Sequence, residues 1–210
     1  MRYVLADQID HIKRMYSVTP LLGLVSVGLF VTTFFTLGIA TPQYDLLHDY
    51  ISMLGAQGQP FAIWWNLIGF VSVGILFAGF GWAYSRIIED NWVGLFLMIS
   101  GVGFAMGAIP ADFINPDVPF SKAHFVSICL ALAGWCLGLA RIGHKHSGFR
   151  MGRMSANLAG LFAVFPMIAM ATRLITAPVA HRLVLVVVLA WVVYTSIGFI
   201  GKKRCSQYPG

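Results

Sequence analysis

Charge is what this chain of 210 residues has least of. Asp, Glu, Lys and Arg together make up 10% of it, where a soluble domain carries about 25%. With hydrophobic residues at 58%, that scarcity excludes both a soluble globular enzyme and a disordered chain. Cysteine is nearly absent too. Cys129 and Cys136 share one apolar run and Cys205 stands in a basic tail. Seven residues along a helix rise roughly 10 Å, too far for a disulfide, and no zinc-type spacing occurs. There is no phosphate loop, no HExxH helix, no GxSxG elbow and no internal repeat. The short alternating segments of a membrane barrel are missing as well.

What is present is long apolar sequence, with a mean hydropathy of +0.78. Six runs stand out, at 19–41, 61–84, 92–111, 124–143, 156–176 and 183–201. Each is close to the ~20 residues that cross a bilayer as a helix. The expected fold is all-α: a polytopic membrane protein, a six-transmembrane-helix bundle over 19–201. A polar segment, 1–18, precedes it and a basic tail, 202–210, comes after it. Pro20 and Pro60 are expected in first helical turns, and Pro166 should kink the fifth helix. The first run is long, and no small-x-small site comes after it, so it reads as an uncleaved signal anchor.

The net charge of +6 implies no nucleic-acid partner, because most basic residues flank apolar runs, where topology requires them. With the N-terminus placed in the cytoplasm, 11 of the 14 Lys and Arg residues fall on that side. Only Lys122, Arg173 and Arg182 fall on the other. The positive-inside rule then makes both termini cytoplasmic. The bacterial inner (plasma) membrane is the expected location.

This orientation gathers polar residues at the outer ends of the spans. The first outer loop carries Asp45, His48, Asp49 and Ser52, and Asn66 lies just below it. Asp112 ends span three, Lys122 and His124 open span four, Arg173 comes late in span five, and His181 and Arg182 open span six. A charge such as Arg173 within a span is costly unless paired or snorkelling to the surface. Asp112, after a helix C-terminus, is expected to seek Arg182 or Lys122. The spacing of Leu46, Leu47, Tyr50, Ile51 and Leu54 predicts a short interfacial helix lying on the outer surface, with His48 and Ser52 on one face. His144 and His146 read as a solvated basic loop. Gly103-x-x-x-Gly107 and Gly134-x-x-x-Gly138 read as helix-packing sites.

YISMLGA, WWNLIGF, IPAD, KAHF and HRL with Trp191 after it occur in that order. Together they resemble the multi-pass membrane family catalogued as domain-of-unknown-function family 998. The first motif is also similar to the eukaryotic Frag1/DRAM/Sfk1 membrane proteins, some of which are tied to lipid remodelling. The resemblance carries over to Ser52, Gly55, Asn66, Asp112, His124 and Arg182. His181 stands where relatives are expected to hold Gln or Glu, and His48 lies in no shared motif. The resemblance implies a six-helix bundle with an outer-face pocket and supplies no reaction.

Three functions fit these residues. The first is lipid handling, with Arg182 and Arg173 on a phosphate and Asn66 and Ser52 on hydroxyls. Its catalytic form uses Ser52 as nucleophile, His124 as base and Asp112 as orienting group. The second is a non-catalytic accessory subunit or assembly factor, with other membrane subunits as partners besides lipids. The third is a zinc or haem site built from His48, His124 and His181; no cofactor is favoured by composition.

Overall fold

A computed structural model describes residues 2–145 and 150–207, with side chains described for 14–144 and 152–201. Among the described residues six long helices follow one another. They are α1 (Arg2–Ala40), α2 (Ala62–Ile88), α3 (Asn91–Met106), α4 (Pro119–Lys145), α5 (Arg150–Ala171) and α6 (Ala177–Gln207). Among the described residues there is no strand. Five helices contain stretches long and apolar enough to cross a membrane: Arg14–Ala40, Ala62–Ile88, Pro119–His144, Gly152–Ala171 and Ala177–Gly201. The protein is therefore a polytopic all-α membrane protein. The remaining helix, α3, is apolar but has 16 residues. At 1.5 Å per residue it is about 24 Å long, short of the ~30 Å hydrocarbon core.

The ends of the helices have local causes. Asp90 caps α3, its carboxylate accepting from the Trp92 and Val93 amides, as N-cap residues do. Glu89 closes α2 in the left-handed conformation (φ 55°). Pro20 does not begin a helix, contrary to the sequence expectation, but lies well inside α1. A proline there cannot donate to the preceding turn. Beside it, the buried Thr19 hydroxyl satisfies itself within the helix by donating to the Met15 carbonyl (2.8 Å). Pro166 lies inside α5, where the sequence places it.

The helices pack in chain order around a ring: each touches the next, and α1 closes against α6. Small residues set the tightest crossings. A Cβ on Gly74 of α2 would lie 2.5 Å from the Ala105 nitrogen of α3. A Cβ on Gly103 would lie 2.6 Å from the Ala131 nitrogen of α4, and one on Gly134 2.7 Å from the Phe96 carbonyl. Of the four glycines that the sequence marks for packing, Gly103 and Gly134 bring backbones together, whereas Gly107 and Gly138 meet side chains of the neighbouring helices. Two clusters of buried side chains fill the ring. One, around Phe80, Tyr84, Leu97, Trp135, Trp191 and Phe199, occupies much of it. The other, around Phe30, Trp65, Phe70 and Val73, also takes in Ile51 and Leu54 from the first loop.

Candidate functional site

The loop joining α1 to α2 does not form an amphipathic helix on the surface. It runs through turns to a 3-10 turn, Ile51–Gly55, that is tucked into the bundle. Ile51 and Leu54 are 4% and 1% exposed. A loop side chain has water as its alternative, so burying these two stabilises the turn by about 3–6 kcal/mol as an upper figure. The helical spacing read from the sequence is real, but burial into the bundle outweighs lying on its surface. Ser52 is buried in the same turn, whereas His48 is exposed and pairs with Asp45 (2.9 Å). The two therefore do not share a face.

Two side chains from the helices hold this loop. Asn66 donates from Nδ2 to the Gly55 carbonyl (3.0 Å). A Cβ on Gly55 would collide with that amide, so glycine is needed for the close approach. Asn66 lies in a π-helical stretch, Trp65–Ser72, within α2. Such wide turns rotate the side chains beyond them relative to an α-helix and are frequent at functional sites. Arg182, in the second turn of α6, donates to the Asp49 carbonyl, to the Pro178 carbonyl (3.1 Å) and to the Tyr44 hydroxyl (3.5 Å). Burial pushes the Tyr44 hydroxyl up to about 12, against the opposing pull of the Arg182 charge.

Arg182 is half-buried, its Nε has no hydrogen-bond partner, and no carboxylate among the described residues comes within ion-pair distance of it. Asp49, which lends Arg182 its carbonyl, turns its carboxylate to the Asp45 amide (2.8 Å). Asp112 does not supply the missing charge. Helix α3 ends at Met106, so Asp112 stands beyond it in a turn. There its carboxylate accepts from the Ile114 and Asn115 amides (2.8 and 2.9 Å), and these bonds hold it below the usual carboxylate range. Lys122 pairs with Asp117 instead (3.2 Å). The expected pairing of Asp112 with Arg182 or Lys122 is thus replaced by a local turn.

His124 is 8% exposed and lies past the first turn of α4, which starts at Pro119. Its Nδ1 faces the Ile109 carbonyl (2.9 Å), and Phe70 meets its ring edge-on. Asp112 is therefore not the group that orients it. Arg173 is not inside a span: α5 ends at Ala171, and Arg173 stands just beyond it in a left-handed turn (φ 60°), exposed. The helix stops earlier than the apolar run suggests, which frees the charge to reach the surface. The histidine metal set does not assemble. Among the described residues no group of three or more His, Cys, Asp or Glu side chains could hold a metal ion. His48 points to Asp45 at the surface, and His124 is turned to Ile109.

His181 faces inward instead. It lines a cavity of about 100 Å³ between α1, α2, α3, α4 and α6, together with Phe30, Ile51, Phe70, Ala131 and Trp135. The cavity wall is almost wholly apolar. Among the described residues the imidazole has no hydrogen-bond partner, and Arg182 and His124 are the ionisable groups whose charges reach it. The indole Nε1 of Trp135, buried, also has no partner.

Sequence reasoning missed a buried ion pair, which sits at the opposite end of the bundle. The Asp90 carboxylate, 2% exposed, receives the Arg141 Nε at 2.9 Å and ties the start of α3 to α4. An acidic residue directly before an apolar run, in EDNW, was the available signal for its capping role.

Residues 24–198 match the family described as "Protein of unknown function (DUF998)", a match that spans most of the chain. Comparison with curated proteins and with solved structures finds no match.

Proposed function

We propose that this chain, which belongs to the DUF998 family, binds an anionic amphiphile of the outer leaflet. In this reading α3 crosses with the other five helices, both termini are cytoplasmic, and the end carrying the 41–61 loop faces outward. The anion binds Arg182 and the apolar part enters the cavity that His181 lines. The observation that carries the reading is Arg182 itself: a half-buried cation with an unpartnered Nε, held by neutral oxygens alone. A desolvated charge without a counter-charge is costly, and a phosphate or carboxylate would relieve that cost through charge-assisted bonds. Asn66 serves the loop rather than a ligand hydroxyl, and Arg173 meets the headgroup region from its exposed turn. Binding is favoured over hydrolysis, because Asp112 is committed to its own turn and the His124 Nδ1 to Ile109.

The test is retention of a single-chain anion, oleate, against oleyl alcohol by protein in lipid nanodiscs, read by native mass spectrometry. Wild type should retain oleate preferentially. Arg182→Gln should lower that retention at least tenfold, as expected for loss of a charged hydrogen bond of about 1.5–3 kcal/mol. Equal retention of the two lipids by wild type would refute the proposal.

A further inference from the structure

The cavity and the cation are contributed by neighbouring residues of one helix. His181 and Arg182 are separated by one residue's rise along α6, roughly 1.5 Å, and point about 100° apart. One side chain lines the apolar cavity; the other meets the loop. A ligand whose anion sits on Arg182 must therefore pass the imidazole as its chain enters the cavity. The imidazole has no hydrogen-bond partner among the described residues, and in every protonation state it carries at least one N–H donor. A donor at that place selects an acceptor oxygen at the junction of headgroup and chain.

The size of the cavity limits the part of the ligand beyond that junction. A cavity of about 150 Å³ lined by aliphatic and aromatic groups accepts a benzene ring. At about 100 Å³ this one holds the first few carbons of one chain and has no room for a second. The rest of that chain lies between helices in the bilayer.

Resting on the Arg182 reading above, we infer that the ligand is a single-chain acyl ester of a phosphate-bearing alcohol, and that His181 is the residue that recognises its ester carbonyl. An ether-linked analogue keeps the phosphate and the chain but replaces the carbonyl with a methylene.

The experiment compares binding of 1-oleoyl-lysophosphatidate, its 1-O-octadecenyl ether analogue and mono-oleoylglycerol to the full chain in nanodiscs. Wild type is expected to bind the ester about fivefold more tightly than the ether, within the range a neutral hydrogen bond supplies. His181→Phe should bring the ester down to the ether's affinity and leave the ether unchanged. His181→Gln, which keeps a donor, should restore part of the preference. Ala131→Leu, which fills the cavity from α4, should weaken ester and ether alike. If wild type binds ester and ether equally while both depend on Arg182, the His181 assignment is wrong and the Arg182 site stands. If neither lysophosphatidate binds better than mono-oleoylglycerol, both fall. A preference for the ester that survives in His181→Phe also overturns the assignment.

Discussion

The pair formed by Asp90 and Arg141 offers a quantitative test of how the far end of the bundle is held. The Asp90 side chain is 2% exposed and that of Arg141 30%. The carboxylate caps α3 through the Trp92 and Val93 amides and also receives the Arg141 Nε at 2.9 Å. Losing an N-cap costs about 1 kcal/mol. Breaking a buried ion pair costs about 3–5 kcal/mol, and the partial exposure of Arg141 places this case at or below the lower end. Asp90→Ala should therefore destabilise the bundle by about 3–4 kcal/mol. Asp90→Asn, which keeps a capping oxygen, should cost about 1 kcal/mol less. Arg141→Met, combined with Asp90→Asn in a double-mutant cycle, should give a coupling energy of at least about 1 kcal/mol. The assay is unfolding in mixed dodecyl sulfate micelles, monitored by tryptophan fluorescence. A coupling energy below about 0.3 kcal/mol would refute the reasoning, since two groups that truly share a buried bond cannot act additively.

Two further outcomes are expected. In a cysteine-free background, Gln57→Cys should react with an impermeant maleimide added to intact cells and Glu89→Cys only after permeabilisation; the reverse pattern would overturn the proposed orientation. Tyr44 titrates at about 12 in the folded protein against about 10 in an unfolded chain. The unfolded chain thus releases the Tyr44 proton first, and stability is lost as pH rises from about 10 towards about 12. Alkaline unfolding of Tyr44→Phe should be less steep across that window, and superimposable wild-type and variant profiles would remove the effect.

Much of the architecture is legible in the sequence because apolar length and glycine spacing act locally. Runs of Leu, Val, Phe and Ala leave the backbone no choice but to bond to itself in a bilayer, and Gly103 and Gly134 mark close crossings whatever lies beyond them. The loop is less legible. Leu46, Leu47, Tyr50, Ile51 and Leu54 have the same spacing whether they lie on a surface or enter a core. What decides is the clasp of Asn66 on Gly55 and the space left for Ile51 and Leu54 between α1 and α2, neither of which is a local property. Asp112 misleads for a related reason: hydropathy continues through GAIPAD, but the helix stops at Met106. The role of Asp90 is hidden because its partner lies 51 residues away and Arg141 reads in the sequence only as a topological charge. His181 and Arg182 stand out together in the sequence, but their division between two compartments does not.

The closure of α1 against α6 has a consequence for biosynthesis. Of the six described helices, the first made waits for the sixth before its contacts are complete. Until α6 arrives, the cavity lacks the wall formed by His181, Val184, Leu185, Val188, Leu189 and Val192, and the Asp49 carbonyl lacks its guanidinium. Before α6 packs, the other five helices therefore enclose an open trough with a loose loop above it, so the cavity wall and the loop clasp form together in one late packing step.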